Sequence, residues 1–417
     1  MAFDGASGRV RFDVNGDRVA EAVDAAHGTA YAKGLPRDAR RALYLIDRYI
    51  RARIEGRGKQ RPKSIAVVID YTQLVCPEGP VNQLGLELQA TLVTLLRWAS
   101  EPLYLKADGR GEFIYDYHWY GFARRHGIRY YPKALAMSPY SPVAGPRLLL
   151  APGYERRAAL LALTEVAEAL GREQGLTGVH LLFCAEDEAD ALEEQGWLRR
   201  LTYQPRWENA DYEDFADFLA RFRHKDRVKI KRQRRKLEEH GLEVVRLRGE
   251  EIGERDWRAM HAFYQRTCLL YGTGSDYLKP ATWESLFGGA WKERVVLFQA
   301  KRGDEVLGCS FCVEKGGSLY GRYWGSAADL DSLYFNLAFY EPIRAAIEEG
   351  WRYVYAGFGN SSTKYRRGLD PCPTHSVHRL FDEDLSRAIR AHLEEDRRET
   401  EESIGAQREH SKLKPRE

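Results

Sequence analysis

The stretch VVLFQAKRGDEVLGCSFCVEKGGSLYGRYWGS, Val295 to Ser326, decides the fold. Gly303-Asp304 and Gly316-Gly317 are hairpin turn signals, so the stretch reads as three strands joined by tight turns. The next segment, LYFNLAFYEPIRAAIEEG (Leu333 to Gly350), is helical. RYVYAGFG (Arg352 to Gly359) is a strand again, and NSSTKYRRG (Asn360 to Gly368) is a polar, basic loop. The strands before and after the helix are expected to run parallel, with the helix as their crossover.

Three antiparallel strands, a helix and a further strand resemble the centre of the GNAT-type acyltransferases. In that fold the two parallel strands splay, and the acyl group meets its amine acceptor in the gap. Outward from this centre, Leu242–Leu247 is expected as a strand, Asp256–Tyr271 and Ala281–Phe287 as helices, and Thr374–Phe381 as a closing strand. A second, earlier unit of similar size and order precedes it. It has strands near Leu103–Lys106, Tyr130–Met137, Arg147–Ala151, Val179–Cys184 and Trp197–Trp207. Its helices fall near Asp116–His126, Glu155–Gln174 and Asp187–Gln195, and the second of these carries Leu160, Leu163, Val166, Ala167 and Leu170 on one face. The tail past about Glu401 has almost nothing apolar and is expected to be disordered.

A chain of 417 residues, 44% hydrophobic and 30% charged, is long enough for two or three cored domains. The formal net charge of +3 implies no particular partner. Six cysteines are scattered without a framework spacing, and the start MAFDGASGRVRFDVNG has no apolar segment of the signal-peptide kind. A reducing cytoplasm is therefore expected. No apolar run approaches the ~20 residues of a spanning helix. Cys309 and Cys312, and likewise His375 and His378, are three apart on strands and so point to opposite faces; no metal site is expected.

Local charge is uneven. Between Arg221 and Lys236 ten of sixteen residues are basic, and only Asp226 offsets them. A solvated helix face usually alternates sign. Uncompensated bases instead suit a polyanion, held by salt-dependent phosphate contacts. Arg227, Lys231, Arg234 and Arg235 are the candidate phosphate or tRNA contacts, with Val228, Ile230 and Leu237 on the remaining face. Near the start, Pro36–Glu55 is a helix candidate. The apolar run Ile65–Ile69, ending in Asp70 and followed by a helix over Leu84–Pro102, resembles the Walker B strand of AAA-type ATPases. The chain has no GxxxxGK[ST] loop to cradle phosphates, which speaks against ATP hydrolysis. The segment is either an ordinary strand and helix or an ATPase-derived remnant.

Several stretches together resemble the FemAB-like family, associated with peptidoglycan biosynthesis or recognition. They are PLYLKADGRGEFIYD (Pro102–Asp116), YYPK (Tyr130–Lys133), SPYSPVAGPRLLL (Ser138–Leu150), RHKDRVKIKRQRR (Arg223–Arg235), SLYGRYWGS (Ser318–Ser326) and KYRRG (Lys364–Gly368). The resemblance implies an α/β fold of two tandem GNAT-like domains with mixed sheets. These would lie at 101–210 and 241–390, joined by a basic helical linker at 211–240. A small N-terminal helical/αβ segment precedes them and a charged tail, 391–417, follows. It further implies an acyltransferase that moves an aminoacyl group from aminoacyl-tRNA to an amine, with a cell-wall precursor as candidate acceptor and no resident cofactor. The family pattern carries an acid-histidine-lysine run before the Arg-Gly; this chain has Ser362-Thr363-Lys364, so of that run only the lysine is kept.

Amide formation needs a neutral attacking amine and donors for the carbonyl oxygen as it becomes negative. Lys364, Glu341 and Arg322 are the candidate catalytic residues. Tyr320, Tyr323, Trp324, Asn360 and Arg367 are candidates for binding substrate. Strand alternation puts Tyr320, Arg322 and Trp324 on one face, where an arginine between aromatics can grip a carboxylate or phosphate. Pro342 is expected to disturb the helix near Ala338–Glu341. The turn SAADLDSLY (Ser326–Tyr334) has two aspartates and no glycine, which disfavours the pyrophosphate of acyl-CoA. Two other readings stay open: a non-catalytic RNA- or wall-precursor-binding module, and an acyl-CoA N-acyltransferase acting on a small amine.

Overall fold

The computed structural model describes residues 103–414 apart from 110–111, 113–115, 139–140, 151–155, 271–277, 279, 290, 358 and 360–361. Before residue 103 it describes the backbone of three short strands, Ala2–Asp4 (β1), Arg9–Arg11 (β2) and Ala99–Ser100 (β3). The helix expected at Pro36–Glu55 and the strand ending in Asp70 lie outside the described residues. So does most of the expected Leu84–Pro102 helix, but its end is strand rather than helix. Ala99 and Ser100 pair antiparallel with Leu150 and Leu149 of β6 (Leu149–Leu150).

The described chain forms two compact units. The first comprises Met1–Leu201 with Thr374–Arg397, and the second Thr202–Pro373 with Arg398–Glu417. In the first unit the sheet order is β4 (Leu103–Lys106), β5 (Lys133–Ala136), β7 (Gly178–Cys184), β14 (Asp370–Leu380). β5 and β7 are parallel, and the helix α2 (Arg156–Glu173) lies between them in the chain. Apolar residues of one sheet face, Ala134, Ala136, Val179, Leu181 and Val377, pack on Leu160, Leu163, Ala167 and Leu170 of α2. The period of 2 on the strands meets the period of 3.6 on the helix, which is what closes this core. The remaining helices of the unit are α1 (Tyr117–Arg125) and α3 (Glu186–Glu193).

In the second unit the order is β8 (Leu198–Glu208), β13 (Tyr353–Tyr355), β12 (Ser318–Ser326), β11 (Glu305–Glu314), β10 (Val295–Arg302), β9 (Glu243–Arg248). β10, β11 and β12 form the expected meander, turning at Gly303, Gly316 and Gly317, all at positive φ. β12 and β13 are parallel. One sheet face packs on α6 (Glu254–Leu270) and α7 (Pro280–Gly288) through Cys309, Phe311, Phe263 and Trp283. The other packs on the central helix and on α4 (Phe215–Ala220) and α5 (His224–Glu239) through Cys312, Leu319, Leu337, Ile343 and Phe218. Cys309 and Cys312 therefore belong to different cores. Both units carry a parallel strand–helix–strand crossover, so the fold is α/β, two GNAT-like units in tandem.

The central crossover helix is interrupted. It begins as Leu333–Phe335 (α8), passes through a π-helical turn at Asn336–Tyr340, and resumes as Glu341–Glu348 (α9). Pro342 cannot donate a backbone hydrogen bond and its ring crowds the carbonyl four residues back, at Ala338. A wider π turn absorbs both defects, and this is the disturbance expected from the proline.

The tail departs from expectation. The last helix, α11 (Glu383–Glu409), runs well past Glu401. Ile404 is buried. Leu413 bridges to Phe222, and Lys414 N donates to Arg221 O at 2.8 Å. Isolated apolar residues at wide spacing suffice to dock a helix that composition alone marks as polar.

Candidate active site

β12 and β13 are hydrogen-bonded partners over only three residues each, Ser318–Tyr320 with Tyr353–Tyr355. β12 continues to Ser326 while β13 stops, so the pair forks beyond Tyr320 and Tyr355. Their rings stack at the fork, 4.7 Å between centroids and 7° from parallel. A Cβ at Gly321 would lie 3.0 Å from the carbonyl oxygen of Tyr355. Glycine there lets the backbones approach before they part.

A one-turn helix follows, Ser362–Tyr365 (α10). It folds Lys364 back so that Nζ donates to the carbonyls of Ala356 at 2.9 Å and Gly357 at 3.2 Å, the residues just past the end of β13. Lys364 is 6% exposed. Burial pushes its amine down to about 8, within reach of exchange between ammonium and free amine near neutral pH.

Arg367 is also buried, but its donors are spent inside the protein. Nε donates to Tyr340 Oη at 3.0 Å, Nη1 to Thr363 O at 2.7 Å and Nη2 to Gln233 Oε1 at 3.3 Å. Its plane sits 3.5 Å from the centre of the Phe335 ring. The geometry is that of a brace beneath α10.

The expected common face of Tyr320, Arg322 and Trp324 does not form. In the β11–β12 ladder Phe311 pairs with Tyr323 and Cys312 with Gly321, so Arg322 is the extra residue of a β-bulge. The bulge inverts the alternation. Leu319 and Trp324 turn to the central helix, Trp324 against Tyr334 at 4.6 Å, while Tyr323 joins the core beneath α6 and α7. Tyr320 is thus on the face opposite Trp324. The Arg322 guanidinium lies over its neighbour's ring, 4.0 Å from the centre of Tyr323.

Glu341 is held between two arginines. Arg234 Nη2 donates to its Oε1 at 3.0 Å and Arg344 Nε to its Oε2 at 2.7 Å. Both oxygens face cations in a groove of about 910 Å³ walled by α4, α5 and β9. A carboxylate so clamped is a structural anchor rather than a base poised for an incoming amine. Asn360 lies outside the described residues.

The basic run falls on α5 and on residues 221–223 just ahead of it; α4 carries none of its bases. α5 buries Ile230, Gln233 and Leu237, whereas Val228, expected among them, is 50% exposed. Helical spacing explains it, since 228 is two residues, about half a turn, from 230. Of the four candidate phosphate contacts, Lys231 and Arg235 are exposed, and neither has an acid at ion-pair distance among the described residues. Arg227 is half-buried beside His224. Arg234 is committed to Glu341 and to the Phe215 ring.

Sequence reading missed a second polar cluster, in the first unit. Lys133 is fully buried, and its Nζ donates to Glu112 Oε2 at 2.8 Å and Asp116 Oδ2 at 2.7 Å. Tyr130 Oη donates to the same Asp116 oxygen at 2.5 Å. Burial pushes the Glu112 carboxyl up; at Asp116 burial acts in the same sense but Lys133 overrides it and holds the carboxyl low. Further along the sheet His180 Nδ1 and His378 Nδ1 are 2.7 Å apart, across the paired strands β7 and β14. Burial, with Lys133 near one ring and Arg200 near the other, keeps both imidazoles well below their usual range. Among the described residues no cluster of three or more His, Cys, Asp or Glu is placed to hold a metal.

With these groups located, residues 88–415 match the family model FemAB-like, described as peptidoglycan biosynthesis/recognition. The chain belongs to the FemAB-like family. Membership, with the GNAT-like crossover in both units, makes this FemAB-like protein an acyltransferase. Residues 4–110 are similar to a second model, the N-terminal Rossmann-like domain of AAA+ chaperones. Against curated proteins the sequence gives no match. Among solved structures the FemAB-like chain is similar to a domain named for a lysylphosphatidylglycerol synthetase of Agrobacterium fabrum. Identity there is 9%, coverage is 76% of this chain and 93% of that one, and the TM-score is 0.46. It is similar to L-PGS of Bacillus licheniformis (10%, covering 61% and 80%, TM-score 0.41). It is also similar to FemX (13%, covering 63% and 85%, TM-score 0.43). Likenesses this distant say nothing of substrate.

Proposed function

We propose that this FemAB-like protein forms an amide bond by moving an aminoacyl group from aminoacyl-tRNA to an amine acceptor, with a cell-wall precursor as the acceptor class. The observation that carries the reading is Lys364 at the fork of β12 and β13, its Nζ anchored on the carbonyls of Ala356 and Gly357. In the proposed reaction an uncharged amine nitrogen attacks the ester carbonyl carbon. The carbonyl oxygen gains negative charge as the C–N bond forms. The ester C–O bond then breaks, and the amine's proton leaves with the departing hydroxyl. Lys364, charged below about pH 8, supplies a donor to the oxyanion. Arg322 orients the carboxylate or phosphate end of a substrate.

Two features favour tRNA over acyl-CoA as donor. Asp329 and Asp331 precede the central helix and are exposed, where a pyrophosphate would be repelled. The outward bases of α5, Lys225, Lys229, Lys231, Arg232 and Arg235, are exposed together, as phosphate contacts require. A cytoplasmic site of action goes with a tRNA donor; among the described residues no helix is long and apolar enough to cross a membrane.

The test is incubation of the protein with charged tRNA pools and candidate amines, read by mass spectrometry. Wild type should give an aminoacylated product. Lys364→Ala and Arg322→Ala should lose product while keeping tRNA binding. Absence of product with every donor in the wild type would overturn the proposal.

A further inference from the structure

α5 presents cations outward and apolar residues inward, with one exception. Gln233 is polar and 9% exposed, on the buried face with Ile230 and Leu237. A buried amide is costly unless bonded. Gln233 Oε1 accepts from Tyr340 Oη at 2.6 Å and from Arg367 Nη2 at 3.3 Å. The Gln233 carbonyl accepts from Asn336 Nδ2 at 3.0 Å. Asn336 and Tyr340 are the first and last residues of the π turn. One residue of the basic helix therefore holds both ends of the irregular turn and the guanidinium of Arg367. Arg367 in turn caps the carbonyl of Thr363, the residue before Lys364.

We infer that Gln233 is a positioning residue for Lys364, acting through Tyr340 and Arg367. The inference rests on the reading of Lys364 as the working amine of the site. Its physical content is that α5 and the α10 turn are one mechanical piece. The Gln233 oxygen is the shared acceptor of two buried donors. Without it, Tyr340 Oη and Arg367 Nη2 both lack this partner, and the cheapest response is for the α10 turn to loosen and admit water. Lys364 would then leave its carbonyl anchors and regain an ordinary lysine's basicity. Nothing else on the buried face of α5 can substitute, because Ile230 and Leu237 have no acceptor.

The experiment compares wild type, Gln233→Leu, Gln233→Glu and Tyr340→Phe by competitive acylation of lysines across pH, with each lysine read by mass spectrometry. In wild type, Lys364 should label slowly and titrate near 8. Gln233→Leu should raise the labelling rate of the free amine, read from the high-pH plateau, at least about tenfold, the factor expected for a buried donor left unpaired, and move the titration toward 10.5, the usual lysine value. Gln233→Glu keeps an acceptor opposite Arg367 and should stay near wild type; Tyr340→Phe, which removes one of the two links, should fall between. Lys133, fully buried in the other unit, is the internal reference. Unchanged Lys364 labelling in Gln233→Leu would overturn the inference, as would a rise matched at Lys133. If wild type makes no product with any donor but Lys364 still follows Gln233, only the transfer reading fails. If product forms and Gln233→Leu alters neither kcat nor labelling, only the positioning role fails.

Discussion

Lys133→Met removes the cation from the buried cluster of the first unit. Lys133 is 0% exposed and is hydrogen-bonded to Glu112 and Asp116 at 2.8 and 2.7 Å. The methionine keeps the volume and removes the charge, leaving two carboxyl groups 1% and 3% exposed without their ammonium. Breaking one side of a buried pair costs roughly 3–5 kcal/mol, because the remaining charge stays desolvated. For a unit of this size each kcal/mol corresponds to about 2–4 °C, so the transition of the first unit should fall by roughly 6–20 °C at pH 7. The pH dependence follows from the sign of the shifts. Without Lys133 both carboxyls are more easily protonated in the folded than in the unfolded state. The folded variant then binds more protons above pH 4, and its stability falls as pH rises through the raised values. The deficit against wild type should therefore shrink between pH 7 and pH 5. Adding Glu112→Gln and Asp116→Asn to the variant should restore much of the loss. Scanning calorimetry at several pH values measures all of this. A drop below about 2 °C, or an equal deficit at pH 7 and pH 5, would show that the cluster is not a desolvated ion network.

Three further outcomes are expected. The folded imidazoles of His180 and His378 are held well below their usual range, so their contribution to stability is complete above about pH 6.5 and is lost as pH falls. His378→Leu should flatten the acid side of the stability profile by up to about 1.4 kcal/mol per pH unit, read from urea midpoints; an unchanged slope would count against it. Gly325→Ala would place a Cβ 2.5 Å from the carbonyl oxygen of Phe263 on α6. Strand and helix must separate, at about 1–3 kcal/mol of overpacking strain, and a melting temperature equal to wild type would refute the contact. Lys231→Ala with Arg235→Ala should weaken tRNA binding and lower the slope of log K against log salt by roughly 1.4–1.8 if each base neutralises one phosphate; weaker binding at an unchanged slope would mean these bases do not meet phosphate.

The central meander was legible because its signals are local. Gly303, Gly316 and Gly317 mark turns by conformation, and the crossover helix by its apolar spacing. Pro342 announced the defect in that helix, though not its form, since a kink and a π turn satisfy the same lost hydrogen bond. What escaped was set by pairing between distant strands. The bulge at Arg322 exists only in register with β11, so alternation along β12 put Tyr320 and Trp324 on one face when they occupy two. His180 sits in an apolar strand, VHLLFC, where a histidine is a signal of burial, whereas His378 sits in the mixed strand THSVHRLF, which carries no such signal. That they meet depends on a strand that returns to the first unit after Thr202–Pro373 of the second, and no local pattern encodes the return. Lys133 stands in the stretch YYPK, but its carboxylate partners lie 17 and 21 residues upstream. Glu341 is conspicuous in the sequence beside Pro342, but its oxygens belong to Arg234 and Arg344.

The π turn at Asn336–Tyr340 amounts to one residue inserted into an otherwise regular helix. Each residue of an α-helix advances the side chains by about 100°. Deleting a single codon within this turn should therefore yield a smoother helix and a worse protein. The residues of the turn itself would take new angular positions, the proline would meet an intact carbonyl row, and the tyrosine hydroxyl would rotate out of reach of the basic helix. The irregularity is a phase adjuster: its wider turn takes up the extra residue and keeps the two halves of the helix in step.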